Sequence, residues 1–430
     1  MAGIGRNLTV MSNATTRLTD EERGLLAGEG TPAQQLAMRI VAEMARILGA
    51  PELVEVHSSH IDGCLHHGDG GVEFAEKLVE LGGSVQIPTT LNVGAMDLMR
   101  PDRIRSGRAR RDMALRQMRA YEQLGCKPTW TCAPYQIGHR PALGEHVAWG
   151  ESNAVVFANS VLGARTNRYG DFMDICCALV RRAPRTGLHT DEARRATVHI
   201  PLEHLSRDLM SRDVFYPVLG SWLGKAVGNR VPALTGLPST VTEDQLKAMG
   251  AAAASSGAVG LFHVVGVTPE APDLEAVLDA DASEQISATP ASLRAARDSL
   301  STAAPDRIDA VALGSPHFSI PEFDALEPLL PDRPFQVPFY VCTGRDHYRA
   351  LQSTGRLAAF ERAGVEIVVD TCVVVTPILP AAGGTLMTNS GKFAHYTPAN
   401  TGYDVIYGSL EDCVRSATTG QVARDESVWS

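Results

Sequence analysis

The chain has 430 residues, of which 44% are hydrophobic and 20% are charged, and its formal net charge is −10 at pH 7. This length predicts two or three domains, and the acidic balance argues against general nucleic-acid binding. No apolar run reaches 18 residues and the polar N terminus lacks the hydrophobic core of a signal peptide, so we expect a cytoplasmic protein without a membrane span.

The first half of the chain alternates predicted strands and helices. After a polar tail at 1–20, a helix is expected to begin at Pro32, behind the capping residue Thr31. The segments that follow are strand 53–57, helix 72–81, strand 85–87, helix 107–124, strand 129–131, loop 150–168 and helix 171–181. This order is typical of parallel sheets covered by helices.

The second half predicts the same architecture after a less regular stretch at 185–255. An acidic segment at 271–291 is expected to be a linker or a surface excursion. The remaining predicted elements are strands 260–265, 308–313, 335–341 and 365–370, helix 347–363 and a last helix between Ser409 and Gly420. We therefore predict a multi-domain α/β fold with domains at 21–200, 201–300 and 301–430.

Three cysteines follow predicted strands, namely Cys64, Cys132 and Cys372. Because ligands bind at the carboxyl ends of strands in open α/β sheets, these thiols are expected to meet at one cleft. Three thiolates suit an iron–sulfur cluster in which one iron is not held by the protein. The chain has no C-x-x-C motif, and Cys342 or Cys413 stay open as alternative ligands.

Polar side chains accompany these cysteines in the strand-end loops. An arginine and a lysine, Arg165 and Lys392, suit a carboxylate substrate. Structural roles are the alternative, because the His66–His67 pair could be solvent-exposed and Asn159 could cap a helix. The side chains near Cys64 that could transfer protons are His60, Asp62 and His67.

Five motifs together resemble the aconitase X family, in its large subunit or large domain. They are PTTLN at 88–92, TCAPY at 131–135, GESNAVVFANSVLGARTNR at 150–168, DTC at 370–372 and NSGKFAHY at 389–396. The resemblance extends from about residue 20 to 422. It implies an aconitase-like fold, with mostly parallel sheets flanked by helices around a central cleft.

The resemblance also implies a hydro-lyase that acts at an iron–sulfur site. Ser315 and Cys64 make the chain similar to the bacterial cis-3-hydroxy-L-proline dehydratases rather than to the archaeal mevalonate 5-phosphate dehydratases. The implied cluster ligands are Cys64, Cys132 and Cys372, and a 2Fe-2S, 3Fe-4S or 4Fe-4S cluster is compatible with them. Nothing after Gly420 matches the family's small swivelling domain, so a separate small subunit is the implied partner.

In this interpretation the iron polarises the substrate hydroxyl, and His60, Asp62 or His67 protonates it as it leaves. Lys392 and Arg165 hold the carboxylate. The implied substrate-binding residues are Ser152, Asn153, Asn159, Ser160, Arg165, Thr166, Asn167 and Ser390. The alternatives are a mevalonate 5-phosphate dehydratase, a mononuclear metal enzyme and an iron-responsive RNA-binding protein.

Overall fold

The computed structural model describes residues 16–279, 284–380 and 383–429. The helices are α1 Asp20–Ala27, α2 Pro32–Leu48, α3 Asp69–Glu80, α4 Arg108–Gln123, α5 Ser152–Ser160, α6 Met173–Val180, α7 Asp191–Arg194, α8 Arg207–Met210, α9 Phe215–Val227, α10 Glu243–Gly257, α11 Leu274–Val277, α12 Pro290–Asp298, α13 Ile320–Leu326, α14 Arg345–Ser353, α15 Leu357–Arg362, α16 Gly391–Thr401 and α17 Leu410–Thr419. The strands are β1 Leu53–Glu55, β2 Ser59–Ile61, β3 Thr89–Leu91, β4 Ala148–Trp149, β5 Arg182–Pro184, β6 Val198–Pro201, β7 Pro232–Thr235, β8 His263–Val264, β9 Glu284–Gln285, β10 Ala310–Leu313, β11 Phe339–Thr343, β12 Val365–Val369, β13 Thr385–Thr388 and β14 Asp404–Tyr407.

The first sheet has the order β3-β2-β4, and all of its strands are parallel. Its register aligns His60 with Thr90 and with Trp149. Helix α2 begins as predicted, because Thr31 and Gln34 form a capping box and Pro32 occupies its first turn. The short pair β1–β5 is antiparallel and lies apart from this sheet.

The second sheet has the order β8-β7-β6-β9 and is also parallel. Helices α9 and α10 pack closely beside it, because glycines at their contact remove the side chains that would separate them. A Cβ atom on Gly224 would lie 2.5 Å from the carbonyl oxygen of Ala253. Helix α10 also packs on α5 and α16, so it connects all three parts of the chain.

The third sheet has the order β12-β11-β10-β13-β14, with every pair parallel. Strands β10 and β11 are buried along their whole length, as expected for a sheet covered on both faces. The predicted α/β class with mainly parallel sheets is therefore confirmed. A cleft of about 1260 Å³ opens between the three parts of the chain, and its lining includes Tyr135, Lys247, Ser315 and Ser390.

Several local predictions are wrong. The strand predicted at 85–87 is displaced to β3, and residues 129–131 form no strand because Trp130 has a φ of 45°. The predicted loop 150–168 contains helix α5, and the predicted helix 347–363 is divided into α14 and α15 at Gly355, whose φ is 75°. Part of the linker expected at 271–291 instead forms α11 and β9, although residues 280–283 lie outside the described residues.

The predicted tail falls outside the described residues up to residue 15, and α1 begins at Asp20. No helix within the described ranges is both long and apolar enough to cross a membrane.

Candidate active site

Two loops that carry cysteines meet at a buried histidine. The backbone N–H of His317 donates to the Sγ atom of Cys132 at 3.2 Å. The imidazole Nδ1 of His317 lies 3.0 Å from the hydroxyl of Thr131, and its Nε2 lies 3.3 Å from the carbonyl oxygen of Thr371. His317 therefore contacts the residue before Cys132 and the residue before Cys372.

The thiols beside His317 influence one another. Burial raises the pKa of Cys132 to about 12, and Cys372 adds to that increase. Burial also raises the pKa of Cys372, although backbone N–H groups of Val374 and Val375 act in the opposite direction. Cys342 is fully buried, and both other thiols contribute to its raised pKa after burial itself. The structure thus brings Cys132, Cys342 and Cys372 into one region.

Cys64 lies in a different environment. Its thiol donates to the backbone carbonyl oxygens of Ile61, at 3.4 Å, and Asn92, at 3.3 Å. Burial raises its pKa, and the neighbouring carboxylates of Asp62 and Asp174 raise it further. The strand directly before this loop is β2, not the predicted strand 53–57.

The donor set fits an iron–sulfur cluster at two positions. Cys132 and Cys372 are buried thiols that accept backbone N–H groups, which is a common way of tuning cluster sulfurs. Among the residues that the structure describes, no three His, Cys, Asp or Glu side chains form a group that could hold a metal ion. The third ligand, predicted as Cys64, stays a prediction.

A buried ion pair lies beside these thiols. The Nζ atom of Lys392 pairs with the Oε1 atom of Glu151, and both side chains are less than 15% exposed. Lys392 is positioned by the first turn of α16, where Ser390 caps the helix. Glu151 has a φ of 69° and caps α5 by accepting the N–H of Ala154 at 2.8 Å. The charge of Lys392 lowers the pKa of Cys132 and the charge of Glu151 raises it, so both lie close enough to influence that thiol.

Asp62 is the neighbouring titratable carboxyl. Burial raises its pKa to about 7, with further increases from Glu151 and Asp171, whereas the amide of Asn92 and the charge of Lys392 act against the shift. Asn92 donates to Asp62 at 2.5 Å. Such a carboxyl can hold or release a proton near neutral pH.

The two histidines predicted as acids differ from Asp62. His60 is fully buried, its pKa is lowered well below 6.5 by burial, and its Nδ1 lies 2.8 Å from the hydroxyl of Thr90. It is therefore a neutral imidazole near pH 7. His67 is exposed. Of the three predicted acids, Asp62 has the environment best suited to proton transfer.

The predicted substrate-binding residues fall into two groups. Those near the thiols include Asn153, whose amide donates to the carbonyl oxygen of Cys132 at 2.9 Å, and Ser152, whose hydroxyl lies 3.4 Å from Glu151. Ser390 donates to the carbonyl oxygen of Ser315 in the loop that leads to His317.

The second group stabilises the loop after α5 through hydrogen bonds and an ion pair. Asn159 donates to the carbonyl oxygens of Thr166 and Gly260, and Ser160 accepts the N–H of Phe262 at 2.9 Å. Arg165 pairs with Asp191. The hydroxyl of Thr166 accepts the N–H of Trp149, and the side-chain amide of Asn167 donates to the carbonyl oxygen of Thr186.

Sequence reasoning did not assign a site role to Glu151, Asn92, Asp174 or His317. A signal was present for two of them, because Glu151 and Asn92, like Asp62, each follow a strand of the first sheet by one or two residues. Parallel strands bring such residues to one edge. His317 also follows a strand, β10, but the sequence offers no sign that its loop reaches the first sheet.

Comparisons with known proteins show which family this chain resembles over most of its length. Models of the first, second and third aconitase X domains match residues 15–192, 196–298 and 308–419. A cis-3-hydroxy-L-proline dehydratase from Pseudomonas aeruginosa is 42% identical over 97% of this chain and 73% of its own length. A phosphomevalonate dehydratase large subunit from Methanothermobacter thermautotrophicus is 38% identical over 96% of this chain and 100% of its own length.

A solved structure gives the same result. The holo-form of aconitase X from Thermococcus kodakaraensis superposes with a TM-score of 0.83 at 34% identity, covering 94% of this chain and all of that one. The three domain models together match most of the chain. The chain therefore belongs to the aconitase X family.

Proposed function

We propose that this protein is a hydro-lyase that removes water from cis-3-hydroxy-L-proline and gives a pyrroline-2-carboxylate. The observation that carries the proposal is the buried ion pair Lys392–Glu151. Its charges influence the pKa of the Cys132 thiol and the pKa of the Asp62 carboxyl, which is about 7. A cation for a carboxylate and a carboxyl that exchanges protons near pH 7 are what such a dehydration needs. Relatives named as cis-3-hydroxy-L-proline dehydratases, at 42% and 40% identity, support the same substrate.

An iron–sulfur cluster is the proposed cofactor, with Cys132, Cys372 and Cys64 as its ligands. The fit of the first two thiols supports this, whereas Cys64 has to leave its carbonyl partners to join them. When bound, the cluster would supply a Lewis-acidic iron for the leaving hydroxyl. A 2Fe-2S, 3Fe-4S or 4Fe-4S cluster is compatible with this ligand set.

The chain's own residues bind the substrate and move a proton. Lys392 Nζ binds the substrate carboxylate, and Arg165 is proposed to assist after exchanging its partner Asp191. Ser152, Asn153 and Ser390 orient the ring, with Asn159, Ser160, Thr166 and Asn167 shaping the loop behind it. A base removes the proton from C2 while the C3–O bond breaks, and protonated Asp62 gives its proton to the departing hydroxide, so that water leaves and the enamine tautomerises.

The proposed partner is a separate small subunit. Several relatives are named as large subunits, and this chain matches them over nearly their whole length. A cytoplasmic location is also proposed, and the eight unpaired thiols suit a reducing compartment.

The test is anaerobic reconstitution of the chain with iron, sulfide and a small subunit, followed by an assay of water loss from cis-3-hydroxy-L-proline. We expect an absorption spectrum of an iron–sulfur cluster and turnover that depends on both subunits. Replacement of Cys132 and Cys372 by Ala should abolish both, whereas Cys413→Ala, in helix α17, should retain them. Full activity of the double variant would refute the proposal.

A mevalonate 5-phosphate dehydratase is the second candidate, because the chain covers the whole length of a phosphomevalonate dehydratase large subunit at 38% identity. Both substrates should be assayed side by side on the same reconstituted preparation. Turnover of mevalonate 5-phosphate without turnover of the hydroxyproline would replace the first candidate by the second.

A further inference from the structure

We infer that His317 is a positioning residue that fixes the Cys132 loop against the Cys372 loop. Its imidazole is fully buried and lies between Thr131 and Thr371, the residues immediately before the two cysteines. The inference deepens the proposed function and, where it concerns the cluster, rests on it. It assigns to the His317 side chain a role in setting the distance between the Cys132 and Cys372 thiols.

The hydrogen-bond partners determine which tautomer is present. The carbonyl oxygen of Thr371 can only accept, so the Nε2 atom of His317 carries the hydrogen and donates. The Nδ1 atom then accepts from the hydroxyl of Thr131. The same hydroxyl accepts the N–H of Ala133 at 3.1 Å, so each polar atom in this chain of contacts has a consistent role. A neutral imidazole thus joins two loops that are far apart in the sequence.

The backbone of the histidine adds a third contact to the same site. Its N–H donates to the Cys132 sulfur, so the ring and the main chain hold the Cys132 loop from two directions. Hydrogen bonds of this kind orient metal-binding residues, and their loss commonly weakens a site without removing a ligand.

The loop that carries His317 is itself held in place. The N–H of Phe318 donates to the carbonyl oxygen of Cys342 at 2.9 Å, and the hydroxyl of Thr343 donates to the carbonyl oxygen of Phe318 at 2.7 Å. The Nζ atom of Lys247, in helix α10, lies 3.4 Å from the carbonyl oxygen of His317. The histidine is therefore held by contacts that are independent of both cysteine loops, which a positioning residue requires.

The test uses the full chain and measures the accessibility of the thiols themselves. After iron is removed with a chelator, the protein is treated with iodoacetamide under native conditions, and alkylation of Cys132 and Cys372 is followed by peptide mass spectrometry. In His317→Ala we expect both thiols to react about tenfold faster than in the wild type, the factor expected for loss of roughly one net hydrogen bond. His317→Gln, which keeps an N–H donor, should lie between the two.

The matched control is His263→Ala. His263 is also buried, and its Nε2 donates to the carbonyl oxygen of Arg194 at 2.8 Å, a contact that joins β8 of the second sheet to α7 and includes neither cysteine loop. The control variant also loses a buried imidazole, but we expect its alkylation rates at Cys132 and Cys372 to equal those of the wild type. Equal rates in His317→Ala and His263→Ala would overturn the inference.

Two further measurements keep the result decisive. If His317→Ala does not fold, Thr131→Val removes the hydroxyl that donates to the imidazole and also accepts the N–H of Ala133. The measurement is then made at Cys372, on the other loop, and unchanged alkylation of Cys372 in that variant would overturn the inference. Iron and sulfide content and the absorption spectrum are then compared after reconstitution, where we expect less cluster in His317→Ala than in His263→Ala. If the wild type takes up no cluster, the proposed function fails, whereas the alkylation rates still decide the role of His317.

Discussion

The charges at the candidate site are carried by buried or partly buried side chains. Asp62 receives opposing influences, because Glu151 favours its protonated form and Lys392 favours its charged form. The protonation of Asp62 therefore depends on the charges of both neighbours.

Dehydration should require the protonated form of Asp62. Because its pKa is raised to about 7, the fraction that can donate a proton falls as pH rises through 7, and kcat should fall with it. Asp62→Asn should lower kcat by roughly 10²–10⁴-fold, the usual contribution of a general acid. The pH profile of kcat measures the first effect. Asp112→Asn, at an exposed position, is the control, and an unchanged profile in Asp62→Asn would exclude this role.

Removing Glu151 and removing Lys392, the two members of the ion pair, should shift the pKa of Asp62 in opposite directions. Glu151→Gln should lower it, since a neighbouring negative charge is lost, and Lys392→Met should raise it, since a positive charge is lost. Carbon NMR of the Asp62 carboxyl through a pH titration measures both shifts. Shifts of the same sign would show that the pair does not act on Asp62 through its charges.

At the scale of the elements, helix α5 explains why Glu151 was not predicted from the sequence as part of the site. Eight of its nine residues are buried, so the segment lacks the alternation between an apolar and a polar face that identifies most helices. Its N-terminal cap is Glu151, which is also held by its partner Lys392. The neighbouring helix α10 supports α5 and in turn packs on α9.

Close packing of α9 on α10 should therefore be sensitive to added volume. Gly224→Ala places a methyl group against the backbone of α10, and overpacking of this kind costs about 1–3 kcal/mol of unfolding free energy. Gly70→Ala adds the same methyl group to open space in α3 and should change stability by roughly 0.5 kcal/mol or less. Chemical denaturation compares the two. Equal stabilities would mean that α9 and α10 move apart at no cost.

At the scale of the whole molecule, a buried junction of ion pairs beside the cleft joins the second and third parts of the chain. Lys247 in α10 is 2% exposed and pairs with Asp244 at 2.7 Å and with Glu322 of the third part at 2.5 Å. Ser319 completes the junction by donating to Asp244. The same lysine lies beside the loop of His317, so the stability of the junction and the geometry of the site are linked.

Breaking this junction should be costly. Lys247→Met leaves two largely buried carboxylates without their cation, and removing one partner of a buried pair typically costs about 3–5 kcal/mol. A lower melting temperature in calorimetry checks the prediction. Lys225→Met is the control, because Lys225 makes an exposed contact with Ser299. A melting temperature equal to that of the control would mean that other contacts hold the cleft together.

The sequence by itself determined the α/β class, the parallel sheets, the helix caps at Thr31 and Ser409, and the place of Cys372 after a strand. These features are encoded locally, in the hydrophobic period and in residues next to each boundary. Tertiary structure alone decided that Lys392 pairs with Glu151, 241 residues away, and that His317 joins the loops of Cys132 and Cys372. The environment of Cys64 was decided in the same way. Such contacts depend on how separate sheets pack together, and no local pattern of residues specifies that packing.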